Sequence, residues 1–175
     1  MSTAANAVDL AALNAMDRDA FVAVLGPAFE NSPWVAATAW SRRPFASVEA
    51  LHAAMLEVVR EAPEQRKLAF LCGHPELAGR EAQAGTMTTE STGEQSSVGL
   101  HALTSAERDE MHRLNRAYRE RHGFPFIIAV RNNTRQQIFE AMRARTAQPT
   151  EAERRAALDQ IEIITRKRIE ALVNG

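Results

Sequence analysis

An imidazole, a carboxylate and a primary amide gather in one stretch of this 175-residue chain, Leu71 to Leu100. It reads LCGHPELAGREAQAGTMTTESTGEQSSVGL and holds five of the eight glycines. His74 stands between Gly73, which lets the chain turn, and Pro75, which confines the backbone before it to extended conformations. Imidazole exchanges protons near neutrality, its ordinary pKa being about 6.5. Glu94 and Gln95 close a polar run, Ser91-Thr92-Gly93-Glu94-Gln95. A carboxylate beside an imidazole favours its charged form and fixes its tautomer, while an amide matches the donor and acceptor edges of a heterocycle. Taken alone, these residues leave open an active-site loop and a solvated connector.

The other histidines carry less. His52, His112 and His122 fall on, or at the end of, amphipathic helices, where surface or capping roles are expected, and His101 lies in a connector. His74, Glu76 and Glu94 match no zinc spacing, so no metal site is expected. The glycines follow neither phosphate-binding order. Cys72 is the single cysteine, which excludes an internal disulfide and a cysteine zinc cluster.

With 45% hydrophobic and 25% charged residues, the chain belongs among ordinary globular proteins. Its length predicts a single domain over residues 1–175, with the first nine or so residues disordered. A net charge of −1 supplies no field toward nucleic acid or an anionic membrane. Nineteen of the 21 basic residues are arginines, in keeping with a codon bias across an Ala- and Arg-rich chain. No leader, membrane-length apolar run or peroxisomal tail is recognised, which predicts a cytoplasmic location.

The elements around this stretch read as helices. Asp17 caps a helix within Leu10 to Glu30 that Gly26-Pro27 must break. Trp34 and Trp40 follow as core anchors. Ser47 caps a helix with an apolar stripe of Leu51, Met55 and Val58 or Val59, and Pro63 opens the next. That helix turns Leu68, Leu71 and Cys72 inward, and Gly73 suits a left-handed cap. Thr104 with Glu107, Thr134 with Gln137 and Thr150 with Glu153 have capping-box spacing. Met111, Leu114 and Tyr118 form one stripe, Ile138, Phe139 and Met142 another, and Leu158, Ile161, Ile164 or Thr165, Ile169 and Leu172 a third. Phe124 to Val130 is continuously apolar and, lacking a partner strand, reads as a buried extended segment or a helix start. The expected fold is all-α, a compact bundle of about seven helices with a Gly/Ser/Thr-rich active-site loop.

Several motifs in order carry a resemblance. They are Phe29-Glu30-Asn31-Ser32-Pro33-Trp34, Arg43-Pro44-Phe45, His74-Pro75-Glu76-Leu77-Ala78-Gly79, Ser91-Thr92-Gly93-Glu94-Gln95, Leu114-Asn115 and Gly123-Phe124-Pro125-Phe126-Ile127-Ile128. From about residue 10 to 173 the chain resembles the 2-oxo-4-hydroxy-4-carboxy-5-ureidoimidazoline (OHCU) decarboxylases of urate breakdown. The resemblance implies an all-α fold, no metal or organic cofactor, a homodimer, and loss of carbon dioxide from a small ureidoimidazoline to give (S)-allantoin. It also implies His74 as the catalytic residue, with Pro75 beside it. Ser91, Glu94 and Gln95 would bind substrate, as would Phe126, Ile127, Ile128, Ala129 and Val130, largely through their backbone, and Arg168. After Ile128 the chain reads Ala-Val-Arg-Asn-Asn where some relatives have an Ala-Arg form.

Decarboxylation leaves an electron pair on a ring carbon, which calls for preorganised donors and a proton delivered to one face. On that basis His74, oriented by Glu94, handles the proton of the substrate hydroxyl. Two other classes compete: a non-enzymatic helical binding module and a metal-dependent amidohydrolase of the same pathway.

Overall fold

The structure, a computed structural model, describes residues 7–175 and is almost entirely helical. Among the described residues there are ten α-helices, against the seven or so expected, and one two-residue strand pair. Much of the excess comes from the break at Met16–Asp17, which divides the first expected helix, and from helices at Arg80–Ala84 and Thr89–Ser97 within the stretch expected as a loop. The expectation of a disordered start falls in part on residues 1–6, outside the described residues; Val8 and Asp9 are in a strand.

The backbone groups into two compact units, one reaching to Lys67 and including Glu162–Gly175, the other Leu68–Ile161. In the first, β1 (Val8–Asp9) pairs in parallel with β2 (Val173–Asn174), Val8 opposite Val173. Asp9 caps α1 (Leu10–Ala15) and Asp17 caps α2 (Arg18–Leu25) by accepting from Ala20 N–H. Gly26–Phe29 tightens into a 3-10 turn with Pro27 near its start, the break that proline requires. Two helices follow, α3 (Pro33–Ala39) and α4 (Val48–Glu61), the latter capped by Ser47. The core of this unit includes Phe21, Leu25, Phe29, Val35, Leu51, Met55 and Val59.

The tryptophans are half-buried rather than core anchors. The Arg66 guanidinium lies over the Trp34 ring and that of Arg43 over Trp40, contacts that a partly wet aromatic face favours. His52 is not a surface residue: it is buried, with Nε2 2.9 Å from Thr165 Oγ1. Thr165 sits on the part of α10 (Thr150–Leu172) that belongs to this unit.

In the second unit, α5 (Glu64–Cys72) delivers Phe70 and Leu71 to the core while Cys72 is exposed, contrary to the inward placement expected. Next come α6 (Arg80–Ala84) and α7 (Thr89–Ser97), then α8 (Ser105–His122) and α9 (Arg135–Thr146). Both expected capping boxes form at α8 and α9, each cap stabilising by about 1 kcal/mol. Gly123 takes φ +81° as the left-handed cap of α8. The pair Thr150 and Glu153 behaves differently. Thr150 is already helical, its hydroxyl meets His122 Nδ1 at 3.0 Å, and the Glu153 carboxylate is bonded by Tyr118 and Arg145. His122 is buried rather than on the surface, and its Nε2 meets Thr146 O at the end of α9. Phe124 to Val130 is wholly buried and has no strand partner among the described residues, as a buried extended segment should be.

No described helix is long and apolar enough to cross a membrane.

Candidate active site

His74 follows α5 directly. Gly73 N–H folds back to Ala69 O and Phe70 O, and His74 N–H to Leu71 O, so the helix end tightens without a left-handed residue. Gly73 is absent from the positive-φ positions, which corrects the cap expected there. The His74 side chain is 7% exposed. Its Nδ1 lies 3.1 Å from Phe70 O, and its ring meets the Phe70 ring edge-on at 5.1 Å. A carbonyl only accepts, so Nδ1 carries the hydrogen and the neutral ring keeps its lone pair on Nε2. One backbone contact thus chooses the nitrogen that can take a proton.

The turn that follows is held from two helices. Gln95 Oε1 accepts from Ala78 N–H at 2.8 Å and its Nε2 donates to Glu76 O at 3.3 Å. Asn115 Nδ2 donates to Leu77 O at 2.9 Å, and Arg119 Nε to Glu76 Oε1 at 2.8 Å. These ties hold a backbone that is not relaxed. Ala78 has φ +47°, a left-handed conformation costing about 1–2 kcal/mol for a residue with a Cβ. At Gly79 a Cβ would come within 2.6 Å of Glu76 Cβ, so only glycine fits unchanged.

The stretch expected as a flexible Gly/Ser/Thr-rich loop is helical from Thr89 to Ser97. Thr88 caps it by accepting from Ser91 N–H, and the Thr92 hydroxyl donates back to Thr88 O. Ser91 and Gln95, one turn apart, are buried, and Glu94 lies next to Gln95 at half exposure. Tertiary contact, rather than propensity, makes this helix: its buried stripe is polar. Pro75 is also half-buried.

The third piece is Phe126 to Val130. It runs into a 3-10 turn, Val130–Asn132, that packs against α7, and a Cβ at Gly93 would lie 3.8 Å from Arg131 Nη2. Arg145 Nη1 donates to Ile127 O at 2.9 Å, and Ala129 N–H donates to Gln160 Oε1 at 2.9 Å. Asn133 Nδ2 donates to Ala129 O, also at 2.9 Å. Behind the segment, Tyr118 Oη donates to Glu153 Oε2 at 2.6 Å. Burial, then that bond and the carboxylate charge, push the Tyr118 phenol well above its ordinary range and keep it a donor.

Arg168 belongs to the other unit. It is buried, donating Nη2 to Glu30 Oε1 at 2.8 Å and Nη1 to Ala28 O at 3.3 Å. Among the described residues no three His, Cys, Asp or Glu side chains are grouped to hold a metal ion.

Sequence reasoning names Asn115 only within a resemblance motif and Tyr118 only in an apolar stripe, and does not single out Arg119, Arg145, Gln160 or the true partners of Glu153. Asn115 was visible as a polar residue beside the Met111, Leu114 and Tyr118 stripe, and Glu153 as an acidic residue on the core face of α10.

A sequence model of OHCU decarboxylase matches residues 14–170. The chain belongs to the OHCU decarboxylase family. It is 39% identical over 160 residues to the 2-oxo-4-hydroxy-4-carboxy-5-ureidoimidazoline decarboxylase of Halalkalicoccus jeotgali, covering 91% of this chain and 89% of that one. The decarboxylase of the same name from Mus musculus is 37% identical over 168 residues, covering 96% and 94%. Among solved structures, an (S)-allantoin synthase superposes with a TM-score of 0.75 at 28% identity over 95% of this chain. This chain spans about half, 54%, of that longer protein.

Proposed function

We propose that this protein decarboxylates 2-oxo-4-hydroxy-4-carboxy-5-ureidoimidazoline to (S)-allantoin in urate degradation, acting as a single-domain carbon–carbon lyase. Family membership over residues 14–170 supports the reaction. The observation that carries the chemistry is the His74 Nδ1 contact to Phe70 O, which leaves Nε2 as the proton acceptor.

In this reading the bond from the ring carbon to the carboxylate breaks, its electron pair moves into the adjacent imine, and the imine nitrogen takes a proton from solvent. The product of that step is an enol. Its conversion to the ring carbonyl needs the hydroxyl proton to leave and a proton to reach the neighbouring carbon. His74 Nε2 takes the hydroxyl proton, with Glu94 orienting the ring and favouring the imidazolium that results. Delivery of the new proton to one face yields one enantiomer. Pro75 walls the pocket; Ser91, Gln95 and the backbone of Phe126, Ile127, Ile128, Ala129 and Val130 hold the ring and ureido group. Both edges of the Gln95 amide already bond the Glu76–Ala78 turn, which leaves one N–H and one lone pair of that amide for substrate. Arg168 enters as a substrate-binding residue through the family resemblance alone; within its own unit its guanidinium is bonded to Glu30 and Ala28 O.

The family reading also carries a homodimer located in the cytoplasm and a reaction with no metal or organic cofactor. Light scattering should give twice the 19.3 kDa of one chain, and a chelator should leave turnover unchanged.

The test mixes urate, urate oxidase and hydroxyisourate hydrolase with the protein and follows circular dichroism. The expected result is build-up of (S)-allantoin faster than the spontaneous racemic background. Equal rates with and without the protein would remove the proposal.

A further inference from the structure

An extended apolar segment buried without a partner strand leaves its peptide groups to be bonded by side chains, water or a ligand. Two such bonds flank Ile128. Ile127 O accepts from Arg145 Nη1, and Ala129 N–H donates to Gln160 Oε1, both at 2.9 Å. The two peptides on either side of Ile128 are trans, since the only cis bond among the described residues is Arg43–Pro44. In a planar trans peptide the C=O and the N–H point in opposite directions. Arg145, by holding Ile127 O, therefore turns Ile128 N–H away from itself. Gln160, by holding Ala129 N–H, turns Ile128 C=O away from itself. Neither polar group of Ile128 is bonded by a described residue.

Arg145 is itself held firmly. Its Nε lies 3.0 Å from Glu153 Oε2, and its guanidinium carbon sits 4.5 Å from the centre of the Phe126 ring. Glu153 is 2% exposed and receives Tyr118 Oη, whose ring meets Phe124 and Phe126 edge-on. Arg145 thus grips both the backbone and the Phe126 ring, Tyr118 meets the two rings, and Glu153 joins Arg145 to Tyr118. Gln160 contributes from α10 with a single acceptor atom.

We infer that Arg145, braced by Glu153 and Tyr118, and Gln160 are positioning residues that aim the N–H and C=O of Ile128 at the ureido or ring amide of the substrate. The inference rests on the decarboxylase reading of the same site. A donor and an acceptor on one residue complement the acceptor and donor of a urea-type group. Binding of this kind involves a part of the substrate remote from the reacting carbon, so its loss is felt in KM more than in kcat.

The test measures kcat and KM in the coupled assay for Gln160→Met, Gln160→Glu and Arg145→Lys, with thermal unfolding of each. Gln160→Met should raise KM about tenfold, the worth of one hydrogen bond to substrate, while kcat stays within about twofold. Gln160→Glu restores the acceptor and should bring KM back toward wild type. Arg145→Lys keeps the charge beside Glu153 but loses the fork that spans Glu153 and Ile127 O, and should raise KM similarly. If Arg145→Lys fails to fold, the two Gln160 variants decide. Folded variants with wild-type KM, showing only a lowered unfolding temperature, would overturn the inference while leaving the decarboxylase intact. A wild type that gives no turnover instead removes the decarboxylase reading and this inference with it.

Discussion

The turn His74–Gly79 and the segment Phe124–Val130 are both irregular and both held by side chains from helices, yet they are built on opposite principles. The turn is strained: Ala78 has a left-handed backbone, and Gly79 leaves no room for a Cβ beside Glu76. Its internal ties are neutral amides, Gln95 and Asn115, with Arg119 and Glu76 forming a half-exposed ion pair at the edge. The segment shows no positive φ and is held by a charged cluster, Arg145 with Glu153, locked by Tyr118. The contrast follows from what each presents. The turn must fix one imidazole, which a strained but over-determined backbone does well. In the proposed reading the segment presents its own peptide groups to substrate, so its bonding must come from behind and must not compete for them.

Removing the Glu153 carboxylate leaves the Arg145 guanidinium beside a buried site without its partner. Glu153→Ala should therefore cost about 3–5 kcal/mol of unfolding free energy in urea titration. The amide-held turn should respond less. Gln95→Leu strands the Ala78 N–H and Glu76 O and should cost about 1–3 kcal/mol, with kcat falling as His74 loses its frame. Equal losses for the two variants would erase the distinction.

Strain predicts a change of opposite sign. Ala78→Gly relieves the positive φ at the expense of a more flexible unfolded chain and should stabilise by up to about 1 kcal/mol. A loss of stability would show that Ala78 is not strained.

The smallest effect is a titration. Tyr118 is the only tyrosine, so phenolate absorbance reports it alone. Its folded pKa is raised from the ordinary 10.0 by burial first and by Glu153 next. Above about pH 10 the unfolded chain therefore binds fewer protons than the folded one, and stability contributed by the neutral phenol declines as pH rises. The native protein should show no phenolate signal until it unfolds, and Tyr118→Phe should abolish this part of the alkaline loss. The amides of the turn do not titrate.

Much of the fold was legible because helix starts are local. Asp17, Ser47, Thr104 and Thr134 each announce a cap through a side chain that reaches three residues ahead. The burial of Phe124 to Val130 was legible from its apolar run. Helix α7 was not, because its inward face is Ser91 and Gln95 and no apolar periodicity marks it. Glu153 was misread for a related reason: three-residue spacing after Thr150 mimics a capping box, while its real partners, Tyr118 and Arg145, lie 35 and 8 residues away. The candidate site divides in the same way. The unusual spacing of His74, Pro75, Glu94 and Gln95 was visible, whereas the supports Asn115, Arg145 and Gln160 have meaning only through partners distant in the chain. Arg168 came from resemblance alone; its pairing with Glu30 joins residues 138 apart.

The proposed role of His74, with its lone pair on Nε2, is to move the proton in the decarboxylation. Its most direct test compares initial rates of (S)-allantoin formation by wild type and His74→Ala in the dichroism assay. Far-ultraviolet spectra should establish that both are folded. A loss of at least about 10²-fold is predicted, the lower end of what a general acid–base group contributes. A folded His74→Ala protein turning over near the wild-type rate would contradict it.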